Sequence, residues 1–301
     1  MKTPKAELKR MVALGDGRTR QMYEFLAPIV GFDYRIYECK TFEKALSKIK
    51  SEIDAGFPCM IGALDMFYLP HFEKLYHKEH IPFHYELITG YDDTERLLYF
   101  SDCGREDTQF ISYDDLRLAM DCSYPGLSKP NTVWTIRMHT NKGKYEIAKE
   151  AFARKKDLFL HPPVGFIGCR GFEKFIKELP HWKSELSRED YDKQLYQMVQ
   201  FFGTVPTVPN VLRGIDGPDS IEFGGGFDKA AVVLESLGKE YHDKAMLATS
   251  EIFRRAVPVI GQIKENIVDY LTGKNDGTEQ LPRLFSQVSD IMKAGFETLP
   301  L

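Results

Sequence analysis

Between residues 34 and 138 the spacing of apolar positions switches repeatedly between a period near 3.6 and a period near 2. Beyond residue 141 only the longer period remains. The first segment, 34–39, reads as a strand. Thr41 then caps a helix whose apolar residues Phe42, Leu46, Ile49 and Ile53 share one face, and Gly56 with Pro58 stops it. A strand over 58–64 follows, then an irregular, His-rich stretch. Two β-rich runs, 85–89 and 97–101, flank turn residues 90–95 and predict an antiparallel hairpin. Residues 109–112 form a short strand, and Ser112 caps a helix over 113–120. In 131–138, Val133, Thr135 and Arg137 alternate against Trp134, Ile136 and Met138, which is the pattern of a last strand.

The fold class expected is therefore α+β: an antiparallel sheet domain over residues 1–140 and an all-α domain over 141–301. The expected helices of the second domain are 144–156, 169–179, 188–202, 227–255, 257–271 and 279–296, with Pro258 separating the fourth from the fifth. A Gly- and Pro-rich connector spans 203–226, and no internal repeat is present.

Composition narrows the function classes. A chain of 301 residues with 43% hydrophobic and 28% charged residues buries a sizeable core, at a length where cores divide. A net charge of −4, with Lys and Arg interspersed among Asp and Glu, gives no footprint for nucleic acid. The absence of a run of roughly 18 apolar residues, and of an apolar centre near the start, predicts no membrane association and a cytoplasmic location. The cysteines at 39, 59, 103, 122 and 169 contain no Cys-x-x-Cys pair, so they read as reduced and structural. No cofactor is expected, and small-molecule or protein partners fit best.

The chemistry concentrates at the hairpin, which His84 opens and Asp102 closes. With the turn centred near Asp93, residue 84 falls opposite residue 102, and opposed residues have Cβ atoms roughly 4.5–5.5 Å apart. The carboxylate would then fix the tautomer of an imidazole acting on a nucleophile. The same two residues equally suit a satisfied polar pair at a sheet edge, and a one-residue slip would turn them to opposite faces. A metal site is the other reading, because His71, His77, His80 and His84 lie close in sequence beside Asp65 and Glu79. Their spacing matches no compact zinc motif, so a polar surface loop is expected and no metal. Gly15-Asp-Gly17 and Gly224-Gly-Gly226 with Asp228 lack a phosphate loop's context and read as turns. Phe67, Tyr68, Phe72, Tyr76 and Phe83 suit either an acyl or ring pocket or ordinary core.

Gly56-Phe-Pro58, Leu64-Asp-Met-Phe-Tyr-Leu-Pro70, His84 with Gly90-Tyr-Asp-Asp93, and Ser101-Asp102 resemble, in order and spacing, the family of the butirosin biosynthesis acyltransferase, the BtrH-like proteins. Val164-Gly-Phe-Ile-Gly-Cys-Arg-Gly-Phe172 and the later Gly-rich segment extend the resemblance to roughly residues 10–295. It implies a papain-like N-terminal fold, related to bacteriocin-processing cysteine peptidases, in which cysteine, histidine and aspartate act in that chain order. It further implies His84 and Asp102 as catalytic residues, Asp65 and Tyr68 in the pocket wall, and aminoacyl transfer from an acyl carrier protein thioester to a small-molecule or peptide amine. The family's cysteine lies on a His-Cys segment opening the first helix, and this sequence contains no His-Cys pair. Cys169, where Gly168-Cys-Arg-Gly171 opens a helix, could present a thiolate from the second domain, or Arg170 and the helix start could simply hold a loop.

Two function classes stay open. One is an acyltransferase or amide hydrolase whose thiol comes from Cys169 or from a segment preceding the sequence. The other is a binding protein that keeps the groove without catalysis. The sequence leaves open whether copies of the chain associate.

Overall fold

The computed structural model describes residues 19–82, 84–102, 105–123, 129–203, 208–219 and 223–299. Phe83, Cys103 and the Gly15–Gly17 turn lie outside them. Two compact units divide the chain between Gly143 and Lys144, the first starting at Gly17.

The first unit is built on six antiparallel strands among the described residues, in the order β1-β6-β2-β3-β4-β5. These are β1 (Phe32–Glu38), β2 (Cys59–Leu64), β3 (His84–Asp92), β4 (Leu97–Ser101), β5 (Gln109–Ser112) and β6 (Thr132–Met138). Helices α1 (Thr19–Val30), α2 (Phe42–Asp54) and α3 (Tyr113–Met120) accompany them. The α+β architecture expected from the alternating periods is the one observed. Every residue of β2 is buried, as befits a strand flanked by β3 and β6. Its Ile61 and Leu64 join Ile49 of α2, Ile88, Phe100 and Leu116 in one apolar core. Burying side chains of this size stabilises the fold by about 1.5–3 kcal/mol each.

Local rules account for the ends of the helices. The Thr41 side chain accepts from the Lys44 N–H at 3.4 Å, and Ser112 accepts from the Asp115 N–H at 3.0 Å. α1 was not among the expected elements; Pro28 falls in its last turn. The hairpin also differs from expectation. β3 runs through Gly90 to Asp92, and the turn falls on residues 93–96, with Arg96 in the left-handed region (φ 56°).

α2 buries a charge as well as its apolar face. The Glu52 side chain is 7% exposed, bonded to Lys48 Nζ at 2.7 Å and to the Arg137 guanidinium on β6. Burial alone would raise this carboxyl, but the bonds from Lys48 and Arg137 outweigh it and hold the group below the usual range.

The second unit is helical: α4 (Lys144–Leu160), α5 (Gly168–Glu185), α6 (Arg188–Gln200), α7 (Phe227–Glu240), α8 (Lys244–Arg254), α9 (Ala256–Leu271) and α10 (Leu281–Thr298). The single helix expected over 227–255 is two. His242 takes a left-handed conformation (φ 55°), and Asp243 caps α8 by accepting from the N–H groups of Ala245 and Met246 at 2.9 and 3.0 Å. Pro258 does not make the break before α9. The break comes at Arg255, and Pro258 sits in the first turn of α9, where a missing N–H breaks no intrahelical bond. No helix of the described residues is long and apolar enough to cross a membrane.

The Lys48–Glu52–Arg137 cluster generates a stability prediction. Glu52→Gln lowers unfolding free energy by about 1–2 kcal/mol at neutral pH, less than for a fully buried pair because both cations are partly solvated. Since the folded carboxyl titrates below its unfolded value of about 4.3, this difference is fully present above that pH and shrinks as the pH falls through the folded value. Urea unfolding of both proteins between neutral and acidic pH checks it; equal stability at neutral pH would contradict it.

Candidate active site

The register of the hairpin decides which side chains meet. Near the tip Asp92 pairs with Leu97, Tyr91 with Leu98 and Gly90 with Tyr99. Continued unbroken, that ladder would set Leu87 against Asp102 and leave His84 on the opposite face. A bulge intervenes: Ile88 pairs with Phe100 although Gly90 pairs with Tyr99, so Thr89 is the extra residue of β3. Leu87 then faces Ser101, Glu86 lies across from Asp102, and His84 projects from the same face two residues along. His84 is thus diagonal to Asp102, not directly opposite as the expected turn position required. Diagonal neighbours lie within reach of long and aromatic side chains. His84 Nε2 donates to Asp102 Oδ1 at 2.9 Å.

The pair is well shielded, with the Asp102 side chain 1% and the His84 side chain 13% exposed. A third and a fourth group complete the cluster. His71, in the loop after β2, places Nε2 3.2 Å from Glu86 Oε1 and 3.5 Å from Asp102 Oδ2, within ion-pair reach of both but aligned for a hydrogen bond with neither. Its ring packs against Phe72 and Phe100 at centroid distances of 4.4 and 4.9 Å, while Phe72 meets the His84 ring edge-on at 4.8 Å. Burial would push the His71 imidazole down, but the two carboxylates beside it prevail and raise it. Glu86 is raised by burial, with His71 opposing.

Sequence reasoning considered His71 only as a metal ligand and missed Glu86 altogether. Its one available signal was position, since Glu86 alternates in phase with His84 and Ile88. The donor atoms of His71, His84 and Asp102 lie within 4.8 Å of one another, close enough to share a divalent cation, with Nε2 of His84 and Oδ1 of Asp102 already at hydrogen-bond distance. The other histidines stand apart from this set. His80 Nδ1 lies 2.6 Å from Asp65 Oδ2 and stacks on Phe67 at 4.1 Å, and His77 stacks on Tyr76 at 4.0 Å.

The remaining candidates are Asp65, Tyr68 and Cys169, each held by local contacts. Asp65 Oδ1 accepts from the N–H groups of Phe67 and Ile81, both at 3.1 Å, which holds the loop. Tyr68 is partly buried against the core of the first unit. Cys169 belongs to the helical unit, near the start of α5, where its thiol faces the Leu160 carbonyl at 3.6 Å. In the first unit burial pushes the Cys59 thiol up to about 12 and the Cys122 thiol up to about 11, and it raises Cys39 as well. These three stay protonated at neutral pH.

Residues 3–103 match the family model described as Butirosin biosynthesis protein H, N-terminal. That segment is a BtrH-like domain. Both members of the dyad, and His71 and Glu86 with them, fall inside it. A second model, Domain of unknown function (DUF4872), matches residues 114–205, while no curated protein matches the chain. The second match begins within α3 and takes in β6. The BtrH-like segment therefore completes its sheet with a strand drawn from the next segment.

One glycine sets how closely β2 approaches the dyad. Gly62 lies opposite Tyr85 with φ 140°, and a Cβ there would come within 2.5 Å of the Tyr85 ring and 2.6 Å of the His84 carbonyl oxygen. We expect Gly62→Ala to cost about 1–3 kcal/mol through strain and to displace His84. Thermal unfolding, together with the nuclear magnetic resonance (NMR) shifts of the His84 ring in the variant, checks this; wild-type values for both would contradict it.

Proposed function

We propose that the BtrH-like domain carries an acyl-transfer site of biosynthetic metabolism, with His84 as general base and then acid and Asp102 as its orienter. The observation that carries this reading is the 2.9 Å bond from His84 Nε2 to a carboxylate withdrawn from water. With Nε2 donating, Nδ1 is the nitrogen able to take a proton. As a nucleophile's N–H or S–H approaches the carbonyl carbon of an acyl thioester, Nδ1 removes its proton. The new bond forms, the tetrahedral intermediate collapses, the C–S bond breaks, and the proton passes to the leaving sulfur. Asp102 stabilises the transient imidazolium throughout. The family description, a protein of antibiotic biosynthesis, supports a biosynthetic role; an acyl carrier protein thioester as donor and an amine on a small molecule or peptide as acceptor complete the proposal.

Cys39, Cys59 and Cys122 do not suit the part of nucleophile, Cys59 and Cys122 being buried, Cys39 partly buried, and all three protonated. That observation favours a second reading, a binding protein that keeps the groove for the same ligands. Activity separates the two. His84→Ala and Asp102→Asn each lower transfer from a soluble acyl thioester to an amine by at least about a hundredfold, with the folded circular dichroism spectrum retained. Unchanged turnover in either would remove the dyad from the mechanism. Mass spectrometry of the acylated protein identifies the route, since an adduct on a cysteine marks a thioester intermediate.

A further inference from the structure

A carboxylate held through one oxygen can still turn about its last side-chain torsion, which is broad and roughly two-fold. Asp102 is met at both oxygens, by His84 Nε2 at Oδ1 and by His71 Nε2 facing Oδ2. His71 is itself held from several sides. Its carbonyl accepts from Arg105 Nη2 at 2.7 Å, its ring lies between Phe72 and Phe100, and its side chain is 4% exposed. Glu86, with a fully buried side chain, flanks the same nitrogen, and neither its oxygens nor the His71 nitrogens find a hydrogen-bond partner among the described residues. A buried imidazole without alignment to one acceptor, placed between two buried carboxylates, suits a shared cation better than a core packing residue.

We propose that His71 is a positioning residue for the dyad, bridging Asp102 and Glu86 so that Asp102 presents Oδ1 to His84, and that the working unit is the alternating row His84, Asp102, His71, Glu86. This assignment rests on the acyl-transfer reading of His84. The row places the His71 imidazole between two buried carboxyl groups. Asp102 is thereby fixed in angle without solvent. The electrostatics agree, because the neighbouring carboxylates prevail over burial in raising His71. Glu86 takes the cross-strand position that direct opposition would have given to His84.

The test compares His71→Phe, which fills the ring space between Phe72 and Phe100 without a donor, with His71→Gln, which retains one. If the assignment holds, His71→Phe lowers kcat by at least about tenfold while KM stays within about twofold, and His71→Gln recovers part of the loss. The second readout needs no turnover: the ring N–H proton that His84 donates to Asp102, identified in NMR spectra by its loss in His84→Ala, weakens or exchanges faster in His71→Phe. Where His71→Phe does not fold, the double variant His71→Phe with Glu86→Gln, which neutralises one stranded carboxylate, replaces it in both measurements. Wild-type kcat with an unchanged ring proton would overturn the assignment. So would one equivalent of zinc in the purified protein that disappears in His71→Phe, since His71 would then be a ligand. A wild type without turnover whose ring proton still depends on His71 would sink the acyl-transfer reading and leave the positioning role standing.

Discussion

A carboxylate taken out of water must be met by cations or donors, and that requirement organises the first unit in two places. Glu52 meets it with Lys48 and Arg137, which ties α2 to β6. Asp102 and Glu86 meet it with His84 and His71, and the second solution differs in kind. Lysine and arginine keep their protons across the physiological range, so the Glu52 cluster is fixed in charge. Histidines do not, so the other cluster can pass a proton along and still be compensated. The sheet thus contains one buried ionic group fixed in charge and one whose cations are titratable.

Much of this was legible in the sequence because it is local. The cap at Thr41, the cap at Ser112, the strand over 97–101 and the alternation through Trp134 each rest on neighbouring residues, and the structure places them where periodicity does. Non-local arrangements were not. His71 lies in an irregular loop and its partners on two strands, so nothing within a short window announces that they meet. Glu86 reads as the polar half of an amphipathic strand, and only a second layer of groups over that face explains why its side chain is buried. The break at His242 was missed for a simpler reason: the apolar spacing continues across it, and a histidine in the left-handed region carries no signal as strong as glycine's.

The cysteines present the same contrast from the chemical side. Three described thiols share a unit with the His84–Asp102 pair, yet burial holds all three in the protonated form. Thiol reactivity follows from the surroundings that stabilise a thiolate, not from a cysteine's presence beside a suitable base in the same domain. The two matched segments add a further constraint. β6 lies between β1 and β2 and comes from the second of them, so the scaffold under the dyad depends on residues that the BtrH-like model does not span.

Thr89 acts on this sheet as a single inserted letter acts on a reading frame. On the tip side of it the two strands are in one phase, and on the other side they are in the second; only in the second do an imidazole and a carboxylate emerge from the same surface. The residue itself contributes no chemistry to the site. Its contribution is a count, and the count allows the tip of the hairpin and its base to follow separate demands, one for a tight reversal of the chain and the other for the alignment of two side chains.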